Sequence, residues 1–478
     1  MEKQIYFLSQ NLALVLVVSS SIIFAVIGIL YSRKYRGLTN YLTAGRKVGS
    51  LSLTSSLVAS ALGAWILFGP ASAATWGGIG SIIGYSLGTA FPMIALIYLG
   101  KRIRKVFPSG ITFTQFIYHK IGKNLFKLIL LLSIFYMFIF LCAEVTAVST
   151  LINYISGTPL WITAIFIIVT TLIYTLYGGL RASILTDNFQ FLIILILLLI
   201  CGYNLFTFDY ISYELIQNNS GNLLSAKYMP NYTAGLTFFV AVAATNLFHQ
   251  GNWQRVFAAK NYEVLNKSLK LSFLIIIPIV FFMGTCGIIA VSIDSKINPD
   301  LAFFSILLRD KSEFLSMVIV ILATSLTVST IDTLVNAISS LIVVDGKKIN
   351  KNLKSSNTFV IVISVIALVV ASKGFSILYL FLLADLLCCA AVFTVFYGFY
   401  KKNLKEKELI LSIILGLFLG LLFFPSPDFS NSILVGTVMP FDLFPEIIRN
   451  YLLFWSFLFA TVGPIIFILF RGSLLKLN

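Results

Sequence analysis

Charge is what this chain has least of. Asp, Glu, Lys and Arg together make up 11% of 478 residues, against 59% hydrophobic residues. A soluble globule carries an apolar share nearer ~45–50%, so composition excludes one and leaves a polytopic membrane protein. Polar stretches long enough to bury a core of their own are also missing, and no appended soluble domain is expected. Cysteine is sparse. Cys142, Cys201, Cys286, Cys388 and Cys389 lie inside apolar runs without the spacing of a zinc site or a disulfide framework. The sequence lacks a G-x-x-x-x-G-K-[ST] loop, which removes nucleotide-driven pumping as far as motifs can. It also lacks a Ser/His/Asp or metal-ligand cluster in a loop, so it is not read as an enzyme. The energy source is then an ion gradient, or there is none.

Acidic residues are the scarcer sign, 18 against 34 Lys and Arg, for a net charge of +16. In a soluble domain such an excess would suggest nucleic acid. Here Lys and Arg cluster in alternate loops between apolar runs, which is a signal of membrane topology. Runs long enough to cross ~30 Å of hydrocarbon number about 13. They fall near 11–31, 50–75, 78–100, 124–155, 159–177, 186–207, 233–257, 268–293, 314–344, 357–372, 375–399, 407–425 and 450–471. The basic segments Arg33 to Lys47, Lys101 to Lys127, Arg181, Arg255 to Lys270, Lys347 to Lys354, Lys401 to Lys407, and Arg471 with Lys476 all land on one side. Loops with Asp209 and Glu214, Asp294 to Glu313, and Asp428 to Glu446 land on the other. The first run lacks a basic n-region and is followed by Arg33, Lys34 and Arg36, so it reads as a retained helix rather than a signal peptide. This predicts an all-α integral membrane protein with its N-terminus outside and its C-terminus cytoplasmic.

The second and seventh runs are interrupted, at Gly63 to Pro70 and at Gln250-Gly251-Asn252. They run in opposite directions, five helices apart. Paired broken segments point to an inverted-repeat transporter with its site at the repeat interface. The repeats are then 50–207 and 233–399 of one transporter domain, with an extra helix at 11–31 and two more within 407–471.

The ninth run carries a polar stripe, Thr324, Ser325, Thr327, Ser329, Thr330, Asp332, Thr333, Asn336, Ser339 and Ser340. Hydroxyls and carboxylates are hard oxygen ligands for cations, although any single Ser or Thr more often bonds its own helix or a neighbour. Asp332 stands apart, because an ionisable group at membrane depth costs at least ~2.5–3.5 kcal/mol on insertion scales; ion or proton binding is the expectation. Glu144, Asp187, His249 and Asp385 are costly in the same way. Asp187 reads either as a site residue or as a helix-start residue favoured by the dipole. Glu144 and Asp385 read as fold glue or as solute-facing, and two cavity carboxylates would favour a cationic or amino-bearing solute. His249 is either a packed donor or a gate, and Trp65 and Trp253 flank the two breaks.

Four stretches resemble the sodium/solute symporter family: YLTAGRKVG at 41–49, the segment 53–78, YTLYGGLRASILTDNFQ at 174–190 and WQRVFAAK at 253–260. The likeness extends over most of the chain from about residue 10 to 471. It implies the five-plus-five inverted-repeat (LeuT-like) fold first described in an amino-acid/sodium transporter. It also implies a Na+ site made by the carbonyls of Ala59, Leu62 and Leu326 and the hydroxyls of Ser329 and Thr330. Members with a second sodium use an Asp matching Asp187 with hydroxyls that here become Asp332 and Thr333. The Asp in place of the usual Ser leaves a second Na+, a proton or a structural contact open. HQGNWQR is similar to the urea and polyamine branch, whereas Ala61 stands where the proline branch usually has Asp.

The resulting expectation is a Na+-coupled symporter of a bacterial or archaeal inner membrane, importing a small polar solute such as an amino acid, urea or a polyamine by alternating access. Trp65, Glu144, His249, Gln250, Trp253 and Asp385 are the expected solute residues. A single chain is expected to suffice for transport, with the lipid bilayer as its surroundings and no organic cofactor. One Na+ crossing ~100 mV yields about 2.3 kcal/mol and a tenfold gradient about 1.4, enough for about several-hundred-fold accumulation. A proton-coupled transporter, a membrane sensor and a passive channel are the competing classes. Replacing Ser329 and Thr330 together by Ala should abolish Na+-dependent uptake; unchanged uptake would refute the site.

Overall fold

The computed structural model describes residues 6–35, 37–346, 348, 356–401, 404–435 and 443–474. Among them the chain is helical, with two isolated bridges, Val48 to Ala259 and Pro425 to Ser432, in place of any sheet. The elements are α1 (Gln10–Ser32), α2 (Leu38–Thr43), α3 (Ser50–Ala61), α4 (Trp65–Val106), α5 (Phe113–Lys120), α6 (Lys123–Ser156), α7 (Leu160–Thr207) and α8 (Tyr213–Asn219). After them come α9 (Met229–Phe248), α10 (Gln250–Ala258), α11 (Tyr262–Ile293), α12 (Ala302–Leu307) and α13 (Glu313–Leu341). The chain closes with α14 (Ser356–Ala371), α15 (Ile377–Gly398), α16 (Glu406–Phe423), α17 (Glu446–Arg449) and α18 (Leu452–Leu474).

Eight described helices are long and apolar enough to cross a membrane. Of the five fewer than the run count, three are α9, α14 and α16, which are not among the eight, and two arise in α4 and α7, each of which joins apolar runs that the sequence separates. Both bend sharply, at Gly78 (φ 55°) and Gly179 (φ 57°), a backbone region that favours glycine. Space matters as well. A side chain at 78 would strike the Leu223 carbonyl and Asn231, and one at 179 would strike Tyr41, so the 41–49 loop lies directly on the bend of α7.

Burial ranks the helices from centre to rim. In the most apolar window of α13, 83% of residues are buried, and in α15 78%, whereas α7 buries only 28% and leaves Ile173, Leu192 and Leu199 exposed for lipid. The polar stripe of the ninth run is therefore the axis of the molecule. The basic loops are tied down on one side. Arg46 donates to the carbonyls of Pro108 (2.5 Å) and Gly110 (2.7 Å), Arg104 donates to those of Val256 and Ala259, and Thr112 and Thr114 both donate to Asp345 at 2.6 Å.

Candidate functional site

Two helix interruptions meet α13. The first is narrower than the predicted Gly63 to Pro70: α3 ends at Ala61, Leu62 leaves the helix at φ −101°, ψ 84°, and α4 starts at Trp65 with Pro70 already inside it. What ends the helix is a side chain. Glu144 of α6 accepts the amide of Ala64 at 2.8 Å and that of Trp65 at 3.5 Å, so the helical ladder does not close over residues 59–62. No backbone amide closes onto the carbonyls of Ala59 and Leu62 there. Gly63 permits the approach, because a side chain on it would overlap the Glu144 carboxylate and lie 2.8 Å from Thr330 Oγ1. Both Glu144 and Thr330 thus rest against the bare face of Gly63.

The second interruption is a single residue. His249 (φ −65°, ψ 114°) separates α9 from α10, and its Nδ1 accepts the Gly251 amide at 3.0 Å. The last turn of α9 is completed by side chains from α10: Asn252 Nδ2 donates to the Asn246 carbonyl (2.8 Å) and Trp253 Nε1 to that of Leu247 (2.9 Å). Trp253 consequently does not line the cavity between the interruptions. Its ring is fully buried and stacks on Phe113 at 5.0 Å. Gln250 also faces elsewhere, accepting the Phe113 amide at 3.0 Å and donating to Ser340 and the Ile111 carbonyl. A carbonyl freed at the break claimed Trp253, and the backbone at the start of α5 claimed Gln250.

Between the interruptions lies a cavity of about 40 Å³, room for a few waters. Trp65, Tyr85, Phe140 and Phe381 give it aromatic walls, and Thr245, Asn246, His249, Asn252 and Thr330 supply polar atoms. Asp385 is its carboxylate, buried and accepting from Thr245 at 2.7 Å. Among the described residues the salt bridges are Arg255–Asp187 and Lys348–Asp345, so neither Asp385 nor Glu144 has a basic partner. Of the expected solute residues, Trp65, His249 and Asp385 line the cavity and Glu144 stands at its edge beside Thr330.

The α13 hydroxyls expected to bind Na+ fit a cation in their hydrogen bonding. Ser329 donates its proton to Asp187 Oδ1 (2.7 Å) and Thr330 donates to the Leu326 carbonyl (3.2 Å). With their protons committed to acceptors, both hydroxyl oxygens keep lone pairs for a hard cation.

The expected second cation position holds a cation of the chain itself. Arg255 is fully buried; Nη2 meets Asp187 (2.8 Å) and Thr333 (2.9 Å), Nε meets Ser56 (2.7 Å) and Nη1 meets the Gly251 carbonyl (3.1 Å). Asp187 also accepts from Ser56 at 2.5 Å, and it lies two turns beyond Gly179 rather than at a helix start. Asp332 accepts from Tyr174 (2.7 Å), Ser183 (2.8 Å), Thr186 (3.2 Å) and Thr333 (3.3 Å). Sequence reading had counted Arg255 among basic loop residues. Its place inside the apolar run 233–257 was the available signal, since an arginine at that depth requires a partner.

The sequence profile of the sodium:solute symporter family matches residues 41–416. The chain belongs to the sodium:solute symporter family. Among characterised relatives of this family member, the spermidine transporter of Candida albicans is 27% identical over 461 residues, covering 94% of this chain and 86% of that protein. The solved structure of a Na+-coupled sialic acid symporter, substrate-bound and outward-open, superposes with a TM-score of 0.70 at 15% identity, over 95% of this chain and 96% of that one. A nucleobase-cation-symport-1 family transporter in a closed conformation with bromovinylhydantoin bound gives a TM-score of 0.54 at 16% identity, covering 92% and 96%. These two likenesses concern the fold.

Within this symporter-family chain Arg255 links α3, α7, α10 and α13. Removing one partner of a buried pair costs about 3–5 kcal/mol. Arg255→Leu should therefore lower the thermal unfolding temperature markedly, and adding Asp187→Asn should restore part of the loss. An Arg255→Leu protein as stable as the parent would contradict the staple.

Proposed function

We propose that this protein is a Na+-coupled symporter of a small organic cation of the polyamine class, working by alternating access. The observation that carries the solute class is a pair of carboxylates without basic partners among the described residues, Asp385 on the wall of an aromatic-walled cavity and Glu144 against Gly63 beside the cavity residue Thr330. An unpaired buried carboxylate favours a cation, and aromatic faces add cation–π attraction. Glu144 also occupies the amides at the start of α4, the kind of half-helix N-terminus at which other transporters hold an anionic group of the substrate. With that place filled, an acid is disfavoured. The spermidine transporter of Candida albicans agrees with this class.

In the proposed cycle Na+ binds the carbonyls of Ala59, Leu62 and Leu326 and the hydroxyls of Ser329 and Thr330, beside Glu144. The solute amine binds Asp385 between Trp65, Tyr85 and His249. Asp187 and Thr333 hold Arg255 instead of a second Na+, and Asp332 is occupied by Tyr174, Ser183 and Thr186, which makes one Na+ per solute the natural stoichiometry. Thirteen crossings follow if α4 and α7 each count twice and each broken helix once. Residues 50–207 and 233–399 then form the five-plus-five repeats. The basic loops face the cytoplasm of an inner (plasma) membrane, and the hydrogen bonds of Arg46, Arg104 and Arg255 close that side.

A thermal-shift screen of the purified protein tests this reading. Spermidine should stabilise in Na+ and not in K+, by about 2.7 kcal/mol at a hundred times its dissociation constant. Stabilisation by sialic acid or a simple carboxylate, or by spermidine equally in K+, would overturn it.

A further inference from the structure

A second cavity is larger than the one between the helix breaks. It holds about 530 Å³ on the side of the acidic loops, between the start of α9, the loop at Asn298–Asp300, the Pro425–Phe429 turn and residues 449–454. Its wall carries two carboxylates, Asp300 and Asp428, one basic group, Arg449, and aromatic rings that include Trp76, Tyr228 and Tyr451.

Among the described residues Asp300 accepts one side-chain hydrogen bond, from Ser72 at 3.2 Å, and takes part in no salt bridge. Burial holds its carboxyl above the ordinary carboxylate range, and the Ser72 hydroxyl offsets part of that. A cation placed beside it would favour the charged form. Asp428 is the opposite case: hydroxyls of Ser426 and Ser430 and the Ser430 amide hold its carboxyl down at about 2, so the rim of the cavity keeps a permanent negative charge.

A column of rings connects this vestibule to the central cavity. Trp76, on the vestibule wall, lies 5.8 Å from Phe238; Phe238 stacks on Tyr85 at 4.4 Å; and Tyr85 stacks on Trp65 at 5.8 Å, with Tyr85 and Trp65 on the wall of the central cavity. Carboxylates stand at both ends of the column, Asp300 outside and Asp385 inside.

We infer that the vestibule is a second binding site for an organic cation, in which Asp300 holds an ammonium group against Trp76 before the solute passes the Phe238–Tyr85 stack to Asp385. This rests on the cationic-solute reading of the central site and adds to it a site with its own carboxylate. The vestibule is large enough to hold an organic solute while the central cavity is closed. Surrendering the solute from one carboxylate to the other requires the Tyr85 ring to swing, so entry is gated by aromatic rings rather than by a charged pair.

Isothermal titration of spermidine into the purified full-length protein in Na+ tests the inference. The parent should bind about two cations per chain with distinct affinities. Asp300→Asn should weaken one of them by about tenfold or more and leave the other within about twofold, a change readily resolved in binding free energy. Asp385→Asn should keep the site that Asp300→Asn loses. Trp76→Leu, which retains Asp300, should weaken that same site and guards against misfolding of a single variant. One cation per chain with Asp300→Asn and Trp76→Leu unchanged would overturn the outer site and leave the central reading intact. No spermidine binding by the parent would overturn both.

Discussion

The interaction on which the rest depends is the capture of the Ala64 and Trp65 amides by Glu144. Within a bilayer no water is at hand for backbone groups that lose their helical partners, so an interrupted helix must find its own. A carboxylate from α6 does this for α4 and stands at the positive end of that helix's dipole. Two consequences follow from the same atoms. The carbonyls at 59 and 62 are left without helical donors, and a carboxyl group is set against Gly63 beside Thr330. Carbonyl oxygens and a nearby carboxylate are what a hard monovalent cation needs.

Adjacent residues of α13 divide the work. Thr330 faces the helix break and the central cavity, where carboxylates lack basic partners; Ser329 faces Asp187, which Arg255 neutralises. Two consecutive positions of α13 thus look one toward the cavity and the other toward the buried Arg255–Asp187 pair. Because Ser329 hydrogen-bonds Asp187, and Asp187 is bonded to Arg255 of α10, a cation at Ser329 would act on the other broken helix through two contacts. That is a physical route by which the proposed ion site would couple the two broken helices.

Much of this was legible in the sequence for one reason: ionisable groups and Gly stand out in apolar runs. Glu144, Asp187, Asp332 and Asp385 were found that way, and all are buried in networks or at the cavity. Tyr85, Thr245 and Asn252 were not, since tyrosines, threonines and asparagines in membrane helices usually serve packing, and only the fold brings these to one cavity. Gln250 and Trp253 misled by position. They lie next to a break, but a carbonyl freed there took Trp253 and the backbone at the start of α5 took Gln250. Pro70 misled similarly, because the interruption is set by Glu144 across space and not by proline in the chain.

The central claim, that a Na+ gradient drives an organic cation through this site, is tested most directly by uptake into proteoliposomes with the pH clamped equal on both sides. The account predicts that spermidine accumulates above its external concentration when Na+ is high outside, and only equilibrates when K+ replaces it. Concentrative uptake without Na+, driven by an imposed proton gradient, would contradict it.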